Sequence, residues 1–171
     1  YFINRELSWL EFNRRVLAQA LDEEVPMLER LKFLCISSTN LDEFFEVRVA
    51  RLMQQVHMEA PRVGPDGMPP QEQLDRISEF AHEFVADQYR ILNEVIIPGL
   101  ADEGIHFVRR TKWNKRQAEW VAEYFASQVL PVLSPLGLDP AHPFPRILNK
   151  SLNFLVSLEG KDAFGRSSGV A

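Results

Sequence analysis

A short polar run separates two helical patterns in this chain: Ser37-Ser38-Thr39-Asn40-Leu41-Asp42-Glu43-Phe44-Phe45-Glu46-Val47-Arg48. Before it, apolar residues recur at helical spacing from Met27 to Cys35. After it, a second apolar stripe follows at Leu41, Phe45, Val49, Leu52 and Val56. The pattern predicts one helix that ends near Ile36 and another that begins at Leu41.

Asn40 is the candidate binding residue of this run. With Glu43 three residues later, it fits an N-cap with a capping-box partner. A helix N-terminus offers free N–H groups and a partial positive charge, so it can receive a phosphate or another polar ligand. Arg48 is a second candidate, either for a ligand or for an ion pair with Asp42 or a glutamate. Both residues also have a purely structural interpretation, because such runs commonly turn the chain and cap a helix.

The composition is that of an ordinary globular protein, with 46% hydrophobic and 25% charged residues among 171. The net charge of -5 argues against a non-specific nucleic-acid binder. No apolar run approaches the roughly 18 residues that a membrane span needs. The single cysteine, Cys35, excludes a disulfide framework within the chain. We therefore expect a cytoplasmic protein, with peripheral membrane association left open.

Residues 1–105 predict an antiparallel helical bundle. Ser8 and Glu11 form a Ser-x-x-Glu capping box for the first helix, and Trp9 leads its apolar stripe into the core. Pro26 and Pro70 suit the first turns of later helices. The predicted helical segments are 8–20, 26–36, 41–58 and 70–96.

From residue 105 onward, the sequence predicts shorter elements, both strands and a helix. Ile105–Val108 and Ser151–Leu158 have strand patterns, and Asn114 with Gln117 can cap a helix between them. This order predicts the opening part of an α/β (α+β) domain. Because the chain starts at Tyr1 without a methionine, we expect a fragment of a longer protein. The fold is thus expected to be mainly α, with two domains: 1–105, helical, and 106–171, truncated.

No complete active site is recognisable from motifs. The sequence contains no P-loop, dinucleotide fingerprint or Gly-x-Ser-x-Gly element. Glu79 and His82 match one half of a di-iron bundle signature, which requires a second copy and further carboxylates. Asp139, His142 and Arg146 could gather around an anion, although the neighbouring prolines favour a stiff turn.

Three blocks of the sequence span nearly the whole chain: Arg5-Glu6-Leu7-Ser8-Trp9-Leu10-Glu11-Phe12-Asn13-Arg14-Arg15-Val16-Leu17, then Ser37 to Arg48, then Ser134-Pro135-Leu136 through Asp139-Pro140-Ala141-His142-Pro143-Phe144-Pro145. In their residues and in their order, these blocks resemble the bacterial polyphosphate kinases that work through a phosphohistidine. The resemblance implies a helical N-terminal domain followed by the start of a head domain.

The resemblance also implies a reaction and a role for Asn40. The family transfers the terminal phosphate of ATP to inorganic polyphosphate, reversibly, and releases ADP. Its Asn-Leu-Asp-Glu-Phe motif, whose asparagine binds ATP, matches Asn40 to Phe44, with Thr39 where the family often has another asparagine. The catalytic histidine and the Mg²⁺-binding residues of the family belong to later domains, so His142 is not the phosphohistidine. A homo-oligomer, either a dimer or a tetramer, is implied for the full-length enzyme.

Two alternatives remain open at the level of sequence. The chain could be a non-catalytic helical interaction module with a small α/β appendage, in which case no histidine–lysine motifs of the phospholipase D type would follow it. It could also be a carboxylate-bridged metal bundle built around Glu79 and His82, which would contain iron or manganese.

Overall fold

The computed structural model is mainly helical and describes residues 2–57, 63–138, 143–148, 150–157 and 160. The chain divides into two compact units, Tyr1–Val108 and Arg109–Ala171. The first unit contains α1 (Arg5–Ala18), α2 (Met27–Glu43), α3 (Ala50–Val56), α4 (Pro70–Ile91) and α5 (Ile97–Asp102), and the second contains α6 (Lys115–Tyr124). Among the described residues, no helix has both the length and the apolar character that crossing a membrane requires.

The helix α2 continues through the polar run, where the sequence predicts a break. A π-helical turn, Phe44–Val49, joins α2 directly to α3, so residues 27–56 form one continuous helix. The predicted helix end near Ile36 is therefore wrong, and so is the new start at Leu41. Asn40 is not an N-cap, because it lies inside α2 together with Glu43.

Buried hydrogen bonds explain why the polar run remains helical. The hydroxyl of Ser37, which is fully buried, donates to the carbonyl oxygen of Leu34 at 2.7 Å and accepts from Nε2 of Gln88 at 2.8 Å. The partner from α4 is 51 residues distant in sequence. Because these contacts satisfy the serine hydroxyl inside the bundle, the chain does not need to turn there to expose it to water.

The π-helical turn changes which phenylalanine enters the core. The predicted stripe places Phe45 inside, but Phe44 is 1% exposed and Phe45 is 39% exposed. A π turn closes i→i+5 hydrogen bonds, so a buried position is followed five residues later by the next one. The core positions accordingly step from Phe44 to Val49. The prediction for Phe45 is wrong because it assumes an uninterrupted α-helical period.

The helix α1 begins earlier than predicted and has another N-cap. It starts directly after Asn4, whose side-chain oxygen accepts the backbone N–H groups of Glu6 and Leu7, each at 3.0 Å. Ser8 lies exposed within the helix, so the predicted capping box of Ser8 with Glu11 is wrong. Asn4 satisfies two of the backbone donors that a helix start leaves open.

The helices of the first unit form an antiparallel bundle, as the sequence predicts. A second π-helical turn, Leu92–Ile96, joins α4 to α5. The helix α3 packs on α4, whereas Met27 at the start of α2 lies against Gly99 of α5, so the two long helices run in opposite directions. The helix α1 packs on both α2 and α4. In the described part of this unit, three continuous helical segments therefore replace the four predicted helices. Their shared apolar core includes Leu10, Leu17, Leu34, Leu41, Phe44, Leu52, Ile77, Phe84, Ile91 and Ile96.

In the second unit the predicted start of α6 is confirmed. The side chain of Asn114 accepts the backbone N–H of Gln117, and the side chain of Gln117 accepts the backbone N–H of Asn114, each at 2.9 Å. Neither 105–108 nor 151–157 forms a strand, and Leu158 lies outside the described residues. A strand pairs with a neighbouring strand, and no strand is found in the part of the chain that the structure describes. The α/β character predicted for residues 106–171 is therefore not seen there.

Candidate functional site

A cleft opens in the first unit where the start of α1 faces the end of α2, the first π-helical turn and α3. Its volume is about 900 Å³, which is within the usual range for small-molecule sites. The loop before α4 contributes a further part of the wall. The lining combines charged, polar and aromatic side chains, among them Arg5, Trp9, Phe12, Asn40, Arg48 and Arg51.

Asn40 lies on the wall of this cleft and is half-buried. Its side-chain nitrogen donates to the side-chain oxygen of Asn13 at 3.0 Å, and no donor from the described residues reaches its own oxygen. Because Asn40 sits inside a continuous helix, it offers a ligand its carboxamide and not a helix N-terminus. The cap role and the ligand role that the sequence suggests for this residue therefore do not compete.

Arg48 reaches across the cleft to α1. Its guanidinium group lies 2.9 Å from the carboxylate of Glu6, and the two side chains are 26% and 19% exposed. The structural interpretation of Arg48 predicted an aspartate or a glutamate as partner, and the glutamate is found. Such a pair is stronger than a fully exposed one, because water screens it less.

The cleft as a whole is not a simple basic patch. Among the residues that the structure describes, its lining contains three arginines and three carboxylates, namely Arg5, Arg48, Arg51, Glu6, Glu43 and Asp66. Two of the carboxylates are engaged, since Glu6 pairs with Arg48 and Asp66 accepts a hydrogen bond from Asn4. Arg5 and Arg51 are exposed. The cleft therefore offers cationic groups to an anionic ligand while its acidic groups are largely neutralised by neighbours.

Aromatic side chains form the apolar part of the wall. Trp9 stacks on Phe44 with ring centroids 4.9 Å apart and an interplanar angle of 14°. Trp9 packs against the core, as predicted, but it also lines the cleft. Phe12 and Val47 line the same space and are 48% and 62% exposed. Exposed apolar surface beside polar groups suits a ligand that carries both a flat ring and charged groups.

The other candidates from the sequence do not join this site. Glu79 and His82 are exposed on α4, and the Nδ1 atom of His82 lies 2.7 Å from the carbonyl oxygen of Ser78. In the part of the chain that the structure describes, no three histidine, cysteine, aspartate or glutamate residues come together as a metal site would require. Asp139 and His142 lie outside the described residues, so their proposed grouping with Arg146 is not seen.

Sequence reasoning missed Glu6 and Asn13. Glu6 carries no local signal, because its partner is 42 residues away. Asn13 does carry one, since it stands at helical steps from Leu10 and Leu17 in an otherwise apolar stripe. A polar residue at a core position needs a buried partner, and here that partner is the polar run of α2.

Comparison with known proteins identifies the chain. The geometry defines a helical domain with a ligand-sized cleft, followed by a second unit. The family description "Polyphosphate kinase N-terminal domain" matches residues 2–108, and "Polyphosphate kinase middle domain" matches residues 116–171. The chain therefore belongs to the polyphosphate kinase family.

Individual relatives agree with this assignment. The polyphosphate kinase of Pseudomonas aeruginosa is 56% identical over 170 residues, which are 99% of this chain and 25% of that protein. The polyphosphate kinase of Burkholderia cenocepacia is 56% identical over 166 residues, covering 97% of this chain and 24% of that protein. The crystal structure of polyphosphate kinase from Porphyromonas gingivalis matches with a TM-score of 0.73 and 31% identity, over 86% of this chain and 21% of that one. The chain thus spans about a quarter of the length of the curated relatives that it matches.

Proposed function

We propose that this chain is part of an enzyme that transfers the γ-phosphoryl group of ATP to the end of inorganic polyphosphate. The bond between the γ-phosphorus and the β–γ bridging oxygen breaks, ADP leaves, and a terminal polyphosphate oxygen acquires the phosphoryl group. The reverse reaction regenerates ATP. Membership of the polyphosphate kinase family supports this proposal.

Within that reaction the cleft contacts the nucleotide through Asn40. The observation that carries this assignment is the position of Asn40 on the cleft wall, with exposed arginines on the same lining. A carboxamide combines donors and an acceptor, and guanidinium groups suit phosphate oxygens. The stacked pair of Trp9 and Phe44 adds an aromatic surface.

The chemical step itself is assigned to residues outside this chain. The phosphohistidine and the Mg²⁺ ligands belong, by family resemblance, to other domains of the enzyme. The cleft carboxylates Glu6 and Asp66 are already bonded to Arg48 and Asn4, so they are poor candidates for metal ligands. The contribution of this chain is thus positioning of the nucleotide, which is a large part of catalysis in phosphoryl transfer.

The second unit supplies assembly surface. We assign 1–105 to the helical N-terminal domain and 106–171 to the start of an α/β head domain of a cytoplasmic homo-oligomer, a dimer or a tetramer, with peripheral membrane association left open. Support comes from α6, none of whose residues is buried and whose Trp120 and Tyr124 stack with centroids 5.3 Å apart. Such exposed aromatic surface is typical of residues that another domain or subunit covers.

Steady-state kinetics of the complete enzyme test the nucleotide assignment. The Asn40→Ala variant is expected to raise the KM for ATP about tenfold, the value of one neutral hydrogen bond, with the KM for polyphosphate unchanged. Asn93→Ala is the matched control, because Asn93 is an exposed helical asparagine that does not line the cleft. Equal KM values for ATP in both variants would refute the assignment. Absence of any phosphoryl transfer in the complete protein would instead favour the alternative of a non-catalytic interaction module.

A further inference from the structure

Five cationic side chains lie together at the start of the second unit. Residues 109–116, here called the basic segment, contain no acidic residue and include Arg109, Arg110, Lys112, Lys115 and Arg116. All five are exposed. The chain as a whole has 19 lysines and arginines against 24 acidic residues, so an average stretch of this length would be slightly acidic. The basic segment therefore reverses the sign of the charge locally.

The backbone keeps these cations in one compact stretch. The N–H group of Lys112 donates to the carbonyl oxygen of Arg109 at 2.8 Å, which closes the turn of a 3₁₀-helix spanning Arg110–Lys112. Side chains three residues apart lie on the same side of such a turn, so Arg109 and Lys112 project together. The helix α6 then begins at Lys115, shortly after this turn.

Ion pairs within the fold do not account for the basic segment. In the part of the chain that the structure describes, Lys115 is its only member with a carboxylate partner, Glu119, at 3.8 Å. The two side chains of that pair are 91% and 66% exposed, and so exposed a pair contributes little to stability. The three cations that precede α6 have no carboxylate partner among the described residues.

The helix α6 gains no stability from the cations in its first turn. The helix dipole favours negative charge at this end, but the first turn of α6 holds Lys115 and Arg116 and no acidic residue. The N-cap is made by neutral side chains, Asn114 and Gln117. Because these positions are unfavourable for the helix itself, a ligand of opposite charge explains the cations better than the fold does.

We propose that the basic segment binds inorganic polyphosphate along its length, at phosphates other than the one that reacts. This inference rests on the proposed function, which makes polyphosphate a substrate. Polyphosphate carries negative charge on every phosphate, so it can contact several cations at once and release counterions at each contact. Guanidinium groups bind phosphate oxygens in pairs, and lysines act as point charges. Since the chemical step belongs to other domains, this contact holds the chain and leaves its reacting end free.

The test measures binding of long, end-labelled polyphosphate to the complete enzyme over a range of salt concentrations, without ATP. The variant combines Arg109→Gln, Arg110→Gln and Lys112→Gln, which lie before α6 and so leave its exposed aromatic residues unchanged. We expect the Kd for polyphosphate to rise about tenfold. The slope of log K against log salt should become shallower by about 2, since each lost phosphate contact removes about 0.7. The KM for polyphosphate should rise while the KM for ATP does not.

A matched control removes the same amount of charge elsewhere. It combines Lys32→Gln, Arg76→Gln and Arg90→Gln, three exposed cations that each pair with a carboxylate on their own helix and do not line the cleft. This control should keep the affinity and the salt slope of the unmodified enzyme. A third variant, with Arg109→Lys and Arg110→Lys, retains the charge and should keep the steep salt slope. Circular dichroism confirms that each variant is folded.

The possible results separate this inference from the proposed function. Equal Kd values and equal salt slopes for the glutamine variant and the control would overturn the inference, and so would a lysine variant with the shallow slope of the glutamine variant. Vesicles of phosphatidylglycerol and phosphatidylcholine test a membrane surface instead. If the glutamine variant loses vesicle binding but keeps polyphosphate binding, the segment binds lipid and the inference is wrong. An unmodified enzyme that transfers no phosphoryl group to polyphosphate would refute the proposed function, whatever the binding shows.

Discussion

The guanidinium group of Arg48 lies 2.9 Å from the carboxylate of Glu6, and this ion pair ties the π-helical turn to the first turn of α1. Both side chains are mostly shielded from solvent. The carboxylate also lies near the N-terminus of α1, where the helix dipole favours negative charge. One contact thus fixes the relative position of two elements that line the cleft.

A double-mutant cycle tests the strength of this ion pair. With Glu6→Gln and Arg48→Met, we expect a coupling of about 1 kcal/mol in the free energy of unfolding, at the upper end for partly exposed pairs. Chemical denaturation of the chain measures it. The exposed pair of Arg76 and Glu72 is the control, with about 0.3–0.5 kcal/mol expected. A coupling at the Glu6 pair no larger than the control would contradict its structural importance.

The π-helical turn makes opposite predictions for two neighbouring phenylalanines. Phe44→Ala should lower the free energy of unfolding by about 3–5 kcal/mol, because Phe44 is 1% exposed and its removal leaves a cavity. Phe45→Ala should cost only about 1 kcal/mol, since Phe45 is 39% exposed. Chemical denaturation of both variants measures the difference. A larger loss for Phe45→Ala would mean that the uninterrupted stripe predicted from sequence is right and the π turn is not present.

The start of α1 offers a third test. Asn4→Ala should lower the free energy of unfolding by about 1 kcal/mol, the usual cost of removing an N-cap, because two backbone N–H groups lose their acceptor. Ser8→Ala is the control and should be neutral or slightly stabilising, since alanine is the better helix former at an exposed position. Thermal or chemical denaturation separates the two variants. The reverse order of effects would restore Ser8 as the cap.

The sequence predicts those parts of the fold whose signals are local. Pro70 begins α4 as predicted, and Asn114 with Gln117 caps α6. In both cases the residues that decide the outcome lie within one helical turn of each other. The candidate Asn40 likewise comes from a contiguous run, first through its spacing to Glu43 and then through the resemblance.

The errors arise where distant residues decide the local structure. The run from Ser37 to Asn40 looks like a turn because its polar groups need partners, but Asn13 and Gln88 supply those partners inside the bundle. Polar groups need hydrogen-bond partners both in an exposed turn and in a buried helix. Only the tertiary structure shows whether water or another side chain supplies these partners. The pairing of Glu6 with Arg48 likewise cannot be predicted from a local pattern, because the two residues are 42 positions apart.

Equilibrium binding of ATP to the complete enzyme tests the central claim most directly. Calorimetric titration of the Asn40→Ala variant should give a Kd about tenfold above that of the unmodified enzyme, as expected for one lost hydrogen bond, while Asn93→Ala should match the unmodified enzyme. This result would place the nucleotide against α2 in the cleft. An unchanged Kd for a folded Asn40→Ala enzyme would contradict the assignment of this cleft to ATP.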